Sequence, residues 1–220
     1  MPIAVDLAWE VHRLRGDRRA AKEFAERELA LANERGSPFA LTYGVFHHGW
    51  SLAEEGQVEV GLAEMRSALA ALEATGVVAT TWMAAAMAEC YRKIGHAEPG
   101  LKILSLALVV IERTGDRLFE AELLRLNGEL LALRDTVEGG SRAVEVAAEG
   151  CFHRAIKVAS HQGARLLELR ATASLARLLA KQDRRDEARA KLSDIYNWFT
   201  EGFDTADLKD AKALLDELGA

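Results

Sequence analysis

Apolar residues return at i, i+3, i+4 and i+7 along nearly the whole chain, the spacing of helices with one buried stripe. Turn signals cut this pattern into pairs of helices. Gly16-Asp17 ends the first helix and offers a cap to the second, and Gly36-Ser37-Pro38 ends the second and starts the third. Glu55-Gly56, Thr75-Gly76, Gly95-His96 and Thr114-Gly115-Asp116 continue the series, with Asp116 as a capping residue. Residues 135–141 read as a loop, His161-Gln162-Gly163 as a stop, Gln182-Asp183 as the split of the last pair, and Gly202 as the end of the tenth helix. A final amphipathic helix carries Leu208, Ala211, Leu214, Leu215 and Leu218 on one face. The pattern predicts helix pairs over about 2–36, 37–75, 76–114, 116–162 and 163–200, then a capping helix over 204–218, in a single domain over 1–220.

Two series of small residues fix how these pairs stack. Ala8, Gly49, Ala88, Gly128 and Ala176 form one; Ala20, Gly61, Gly100, Ala148 and Ala188 form the other. Steps within the first are 41, 39, 40 and 48, and within the second 41, 39, 48 and 40. One insertion therefore lies between residues 128 and 148. Self-similarity at such a period is the mark of stacked helical repeats. Small residues at matched places let two antiparallel helices approach closely.

Larger residues surround each small one in a fixed order. Phe24, Met65, Leu104, Phe152 and Leu192 follow the second series by four, and Val11, Leu52, Tyr91, Leu131 and Leu179 follow the first by three. This is a tetratricopeptide-like pattern. The expected fold is all-α, a right-handed α-solenoid of about five such pairs with a period of about 40, plus a C-terminal capping helix. The period exceeds the usual 34 or so, and the proline that often closes such repeats is absent, so a HEAT-like array is the alternative.

Composition narrows the function classes. Half of the 220 residues are hydrophobic, and only 3 are proline. The formal net charge of −6 argues against nucleic acid as a partner. No stretch has the roughly 20 apolar residues that cross a bilayer, and the start shows no secretion signal, so the expectation is a cytoplasmic protein without a membrane partner. Cys90 and Cys151 lie far apart without a CxxC and read as reduced thiols.

The segment Tyr196-Asn197-Trp198-Phe199-Thr200-Glu201-Gly202-Phe203-Asp204-Thr205-Ala206-Asp207-Leu208-Lys209, with Ala211-Lys212-Ala213-Leu214-Leu215, resembles the C-terminal end of a group of bacterial multidomain signalling proteins. Residues 121–131, 151–155 and 174–178 fit the same resemblance. In that group a class III nucleotide cyclase or DNA-binding domain precedes an AAA-type, STAND-like ATPase, and a long tetratricopeptide region follows. The resemblance implies a regulatory repeat region; nothing here matches the cyclase or ATPase domains. Asn127 and Asn197 stand where the group more often has Lys and Gly.

No catalytic or cofactor motif is present: no P-loop, HExxH, GxSxG or zinc-type Cys/His spacing. His47 and His48 diverge by about 100° on a helix, so one should pack and one be wet, with no metal between them. The chain therefore reads as a non-enzyme without cofactors. Function is expected on the concave face, lined by the first helix of each pair. The tetratricopeptide register places there an aromatic half, Trp9, Tyr43, Phe46, Trp50 and Trp82, and a charged half, Glu89, Arg92, Glu122, Arg125, Glu129, Arg170 and Arg177. The positions four and five beyond each small residue, which supply Arg92, also supply His12, Arg13, Glu54, Lys93 and Lys181. Aromatics beside arginines suit a peptide-binding groove. The expected partner is a protein or peptide, or the cyclase or ATPase domains of a parent protein. The alternatives are core packing of the aromatics, a homodimer through the N-terminal face, and a small-molecule sensor.

Overall fold

The structure is a computed structural model that describes residues 2–75, 81–138 and 141–219, with the side chains of 2–7 and 135–138 outside that description. The described residues form eleven helices and no strands: α1 (Pro2–Leu14), α2 (Arg18–Arg35), α3 (Pro38–Glu54), α4 (Val58–Ala74), α5 (Thr81–Lys93), α6 (Ala97–Thr114), α7 (Glu120–Glu138), α8 (Arg142–His161), α9 (Arg165–Lys181), α10 (Arg185–Tyr196) and α11 (Ala206–Gly219). The chain is an all-α, tetratricopeptide-like solenoid of five helix pairs with a further helix at its end.

Local signals explain most boundaries. The Asp17 carboxylate accepts from the Ala20 N–H at 3.1 Å and caps α2. Gly36 closes α2 in the left-handed region at φ 59°, where a Cβ would be strained. Ser37 then accepts from the Ala40 N–H, and Pro38 opens α3. Between α9 and α10 the left-handed place is filled by Asp183 at φ 61°, a residue type that tolerates it.

Three boundaries differ from the sequence expectation. Residues 135–138, expected in a loop, continue α7, and α8 begins at Arg142. The insertion is thus spent on two long helices of 19 and 20 residues; Gly139 and Gly140 lie outside the described residues. Asp116 does not cap a helix: its carboxylate accepts from the Leu118 N–H at 3.2 Å in a turn, and α7 starts only at Glu120. Helix α10 stops at Tyr196, well before Gly202. The expected start of the third pair at Gly76 falls in 76–80, outside the described residues.

The odd helices α1, α3, α5, α7, α9 and α11 pack successively against one another, while among the described residues the even helices are held apart by them. The odd helices therefore line the inside of the curve. Helix α11 packs on α9 and α10, the place that the first helix of a sixth pair would take, and buries Leu208, Ala211, Leu214 and Leu218 there.

The small-residue series marks the pair crossings. A Cβ at Gly49 would sit 2.7 Å from the Gly61 carbonyl oxygen, and one at Gly61 would collide with the Gly49 carbonyl oxygen. A Cβ at Gly128 would lie 2.6 Å from the Phe152 ring. Phe152 is the large residue that the repeat pattern places four beyond Ala148.

Two substitutions separate backbone propensity from packing. Gly49→Ala should destabilise the protein by about 1–3 kcal/mol in urea unfolding, because overpacking outweighs the better helix former. Gly150→Ala, on the open face of α8 with nothing within 4 Å, should instead stabilise by about 0.5–1 kcal/mol. A Gly49→Ala protein as stable as the parent would remove the close crossing as the reason for the repeat.

Candidate functional site: a charged inner face with a closed aromatic end

The aromatic half of the expected groove is not open. Trp9, Phe46, Trp50 and Tyr43 are buried and Trp82 is half-buried. Trp9 stacks on His47 at 4.1 Å between centroids and meets Trp50 edge-on at 5.2 Å. Trp82 lies 5.6 Å from Trp9 and 5.2 Å from Phe46. The physical reason is curvature: closely crossed pairs bring α1, α3 and α5 together, and their inward aromatics become a core. Such rings gain more from mutual contact than from water. Trp9, Tyr43, Phe46 and Trp50 are thus taken up by packing, and Trp82 keeps part of its surface.

His47 is the packed histidine of its pair. Its Nδ1 lies 2.6 Å from a Glu28 carboxylate oxygen in a buried contact, whereas the half-exposed His48 meets Glu64 at 2.7 Å. Among the described residues no group of three or more His, Cys, Asp or Glu side chains is placed to hold a metal ion. Burial pushes the Cys90 thiol up to about 12, which leaves it a protonated, unreactive group at neutral pH.

The charged half does come together, as a ladder across the inner face. Arg125 forks onto Glu122 through Nε at 2.9 Å and Nη2 at 2.6 Å, and its Nη1 donates to Glu129 at 2.7 Å. Glu129 also accepts from the Ser174 hydroxyl at 2.7 Å and lies 3.1 Å from Arg92 Nε. Arg170 donates from Nε to both oxygens of Asp207 at 3.0 Å and also approaches Glu122 at 3.7 Å. Arg177 pairs with Asp210. Glu89 receives Arg13 at 3.1 Å, and Arg13 forks onto Glu10 at 2.9 and 2.6 Å. The geometry at Glu10-x-x-Arg13 repeats that at Glu122-x-x-Arg125, because i and i+3 share a helix face.

Sequence reasoning missed Glu10, Ser174, Asp207 and Asp210, and named Arg13 in an inward row without counting it in the binding groove. The i,i+3 spacing of Glu10 to Arg13, the same as Glu122 to Arg125, was the available signal. For Asp207 and Asp210 there was none, since a capping helix gives no reason to expect its carboxylates inside the curve.

Burial and pairing set the protonation of this ladder. Burial alone would raise the Glu122 carboxyl, but the charge and hydrogen bonds of Arg125, with Arg170 and Arg13, outweigh it and hold Glu122 at about 2. Burial likewise opposes ionisation of Glu129, and Arg125, Arg92 and the Ser174 hydroxyl overcome it to lower that carboxyl. Arg125 and Arg13, though buried, are held charged well above their ordinary value by their carboxylates. Glu122, Glu129, Arg125 and Arg13 are therefore ionised at neutral pH.

A cleft opens beside this ladder between α5, α7, α9 and α11. One part, of about 370 Å³, is lined by Glu89, Arg92, Arg125, Glu129, Arg170, Asp207 and their neighbours. A second part, of about 330 Å³, has an apolar floor of Ala132, Leu133, Phe152 and Leu178 with Lys181 and Glu145 at its edge. Arg92, Glu129, Ser174 and Arg177 line both parts, so the two are continuous. Where they meet, Arg92 Nε and Glu129 Oε2 are buried without hydrogen-bond geometry to any protein atom. The cleft thus joins an apolar pocket to a wall of alternating donors and acceptors, a combination suited to a ligand that is apolar in part and hydrogen-bonding in part.

The ladder gives a pH prediction. A carboxyl lowered in the folded state contributes stability that is present above its unfolded pKa of about 4.3 and is lost as pH falls towards the folded value. Unfolding free energy should therefore drop between about pH 4.5 and pH 2, by on the order of 3 kcal/mol for Glu122. Glu122→Gln should be less stable than the parent at pH 7 and lose less on acidification, as read by urea unfolding at pH 7 and pH 3. Equal losses in the two proteins would show that Glu122 is not a source of the acid sensitivity.

No protein-family model matches the chain, and no curated protein does. Solved structures share its fold. PlcR of Bacillus thuringiensis, in complex with the peptide PapR7 and DNA, aligns over 99% of this chain and 70% of its own, at 13% identity and a TM-score of 0.70. BtubC (BKLC) from P. vanneervenii aligns over 94% of this chain and 89% of its own, at 16% identity and a TM-score of 0.58. At such identities the likeness is one of fold.

Proposed function

We propose that the chain is a protein- or peptide-binding regulatory module, and that its binding site is the cleft between α5, α7, α9 and α11. The observation that carries this reading is the continuity of the apolar pocket with the Arg92–Glu129 wall. An extended peptide offers an alternating series of N–H donors and C=O acceptors with apolar side chains between them. In this reading the Arg92–Glu129 ion pair at the junction meets the peptide backbone, and Phe152, Leu133 and Leu178 receive an apolar side chain. The neighbouring charges nearly cancel, so recognition rests on directed hydrogen bonds and shape more than on net attraction. That the structurally similar PlcR was solved with the peptide PapR7 supports the reading.

The segment from Tyr196 to Lys209 supports a finer statement. The chain acts as one superhelical domain in a bacterial signalling protein, and regulates a cyclase, ATPase or transcription-regulator output through the partner it holds. Catalysis has no part in this reading. A second reading, a small-molecule sensor in the same cleft, is favoured by the roughly 330 Å³ apolar end, which lies within the range of small-ligand pockets.

A displayed random-peptide library selected on the protein tests both. Enriched peptides should bind the parent and lose at least about tenfold in affinity to an Arg92→Glu, Lys181→Glu variant of equal helicity. A selection that enriches nothing, or peptides indifferent to the substitutions, would refute peptide binding in the cleft. A thermal shift from a metabolite panel in that case would favour the sensor.

A further inference from the structure

We propose that Arg170 is a latch that closes the superhelix end to end, and that its release is a built-in opening movement of this chain. Its side chain reaches three separate parts of the fold. It donates to both oxygens of Asp207 at the start of α11, it donates from Nη2 to the Leu14 carbonyl oxygen at the end of α1, and it lies 3.7 Å from Glu122 on α7. Leu14 and Arg170 are 156 residues apart in sequence. The backbone of the α1–α2 turn also touches α11: a Cβ at Gly16 would sit 3.0 Å from the Ala206 Cβ.

Elsewhere in the solenoid the helix packing is between neighbours in sequence or successive odd helices, and α1 reaches one unit further, to α5, through Trp9–Trp82 and Arg13–Glu89. Stability in such a stack is close to a sum of nearest-neighbour terms. A contact between the first and last turns of the curve lies outside that sum, so it can break while every repeat stays folded. Among the described residues no helix-to-helix packing joins α1 to α9 or α11. Among the described residues the closure consists of one guanidinium joining the Leu14 carbonyl to the Asp207 carboxylate, beside the close approach of Gly16 to Ala206. A terminal carbonyl of a helix carries partial negative charge, which favours the cation there.

The position of the latch ties it to the cleft. Arg170 and Asp207 both line the polar part of the cavity. A carboxylate entering there would compete with Asp207 for Arg170 and so loosen α11 and α1 together. The latch stands on the end-to-end contact alone, whatever occupies the cleft.

The test needs no ligand. Spin labels go on Arg15→Cys and Lys209→Cys, both at exposed positions beside the closure, in a Cys90→Ala, Cys151→Ala background. Electron–electron distance measurement on the latched protein should give one short, narrow distribution. Asp207→Asn, which keeps the side-chain shape, and Arg170→Gln should each shift the closed-to-open ratio by about tenfold towards longer distances, the scale of one charge-assisted hydrogen bond. Arg177→Gln, which breaks the neighbouring pair with Asp210 but touches nothing on α1, should leave the distribution narrow. Should Arg170→Gln lose helicity, Asp207→Asn alone decides. A distribution unchanged in Asp207→Asn, or broadened as much in Arg177→Gln, would overturn the latch.

Discussion

The close crossing of paired helices at small residues is the constraint from which the rest of this molecule follows. At Gly49 and Gly61 each helix backbone lies where the other's Cβ would be, and at Gly128 the Phe152 ring fills the space that a side chain would need. Helices that approach so nearly leave little room on the inside of each pair. The odd helices are drawn together along the inner face, and the curve tightens until the α1–α2 turn meets the start of α11. A looser crossing would open the curve and expose the inner face to water.

Tight curvature has opposite consequences for the two halves of that face. Towards the N-terminus the inward residues are aromatic, and closing the curve turns them into a core in which Trp9 lies against His47, Trp50 and Trp82. Towards the C-terminus the inward residues are charged, and closing the curve takes Glu122, Arg125 and Glu129 largely out of water while Arg177 and Asp210 keep contact with it. A buried charge without a partner costs several kcal/mol. The ladder from Glu10 to Asp210 answers this by giving each arginine a carboxylate, often in a forked arrangement that satisfies several donors at once. What the ladder adds is specificity of arrangement, since it sets which helices stand opposite which. The cleft is the part of the inner face that this neutralisation leaves unfilled, and the Arg92–Glu129 pair stands at its centre.

The cap and the latch belong to the same logic. A repeat stack must end in a helix with one apolar and one polar face. Helix α11 does so with Leu208, Ala211, Leu214 and Leu218 turned inward. Because the curve is closed, the polar side of this helix does more than face solvent. Asp207 and Asp210 point at α9 and complete the ladder. Trp198 and Phe203, in the segment that most resembles signalling-protein repeats, stay largely exposed, while Phe199 packs against the core.

Helix period, turn residues and the spacing of Ala8, Gly49, Ala88, Gly128 and Ala176 by themselves determined the all-α class, the pairing of helices and the place of the cap, because each is a local property read within one or two turns. The inner-face register is also local, so it can be applied from the sequence, though it left out Glu10, Ser174, Asp207 and Asp210. What only the tertiary structure decided is whether inward-facing means open. That depends on the crossing distance of each pair and the curvature summed over five pairs, which no single segment encodes. The same summation turned Trp9, Phe46 and Trp50 from a surface into a core, brought Asp207 to Arg170, and placed Leu14 beside a side chain 156 residues away. The insertion near residue 138 shows the limit from the other side: DTVEGGS has the composition of a loop, yet residues 135–138 continue the helix, because α7 and α8 pack along their length and tertiary contact outweighs weak local propensity.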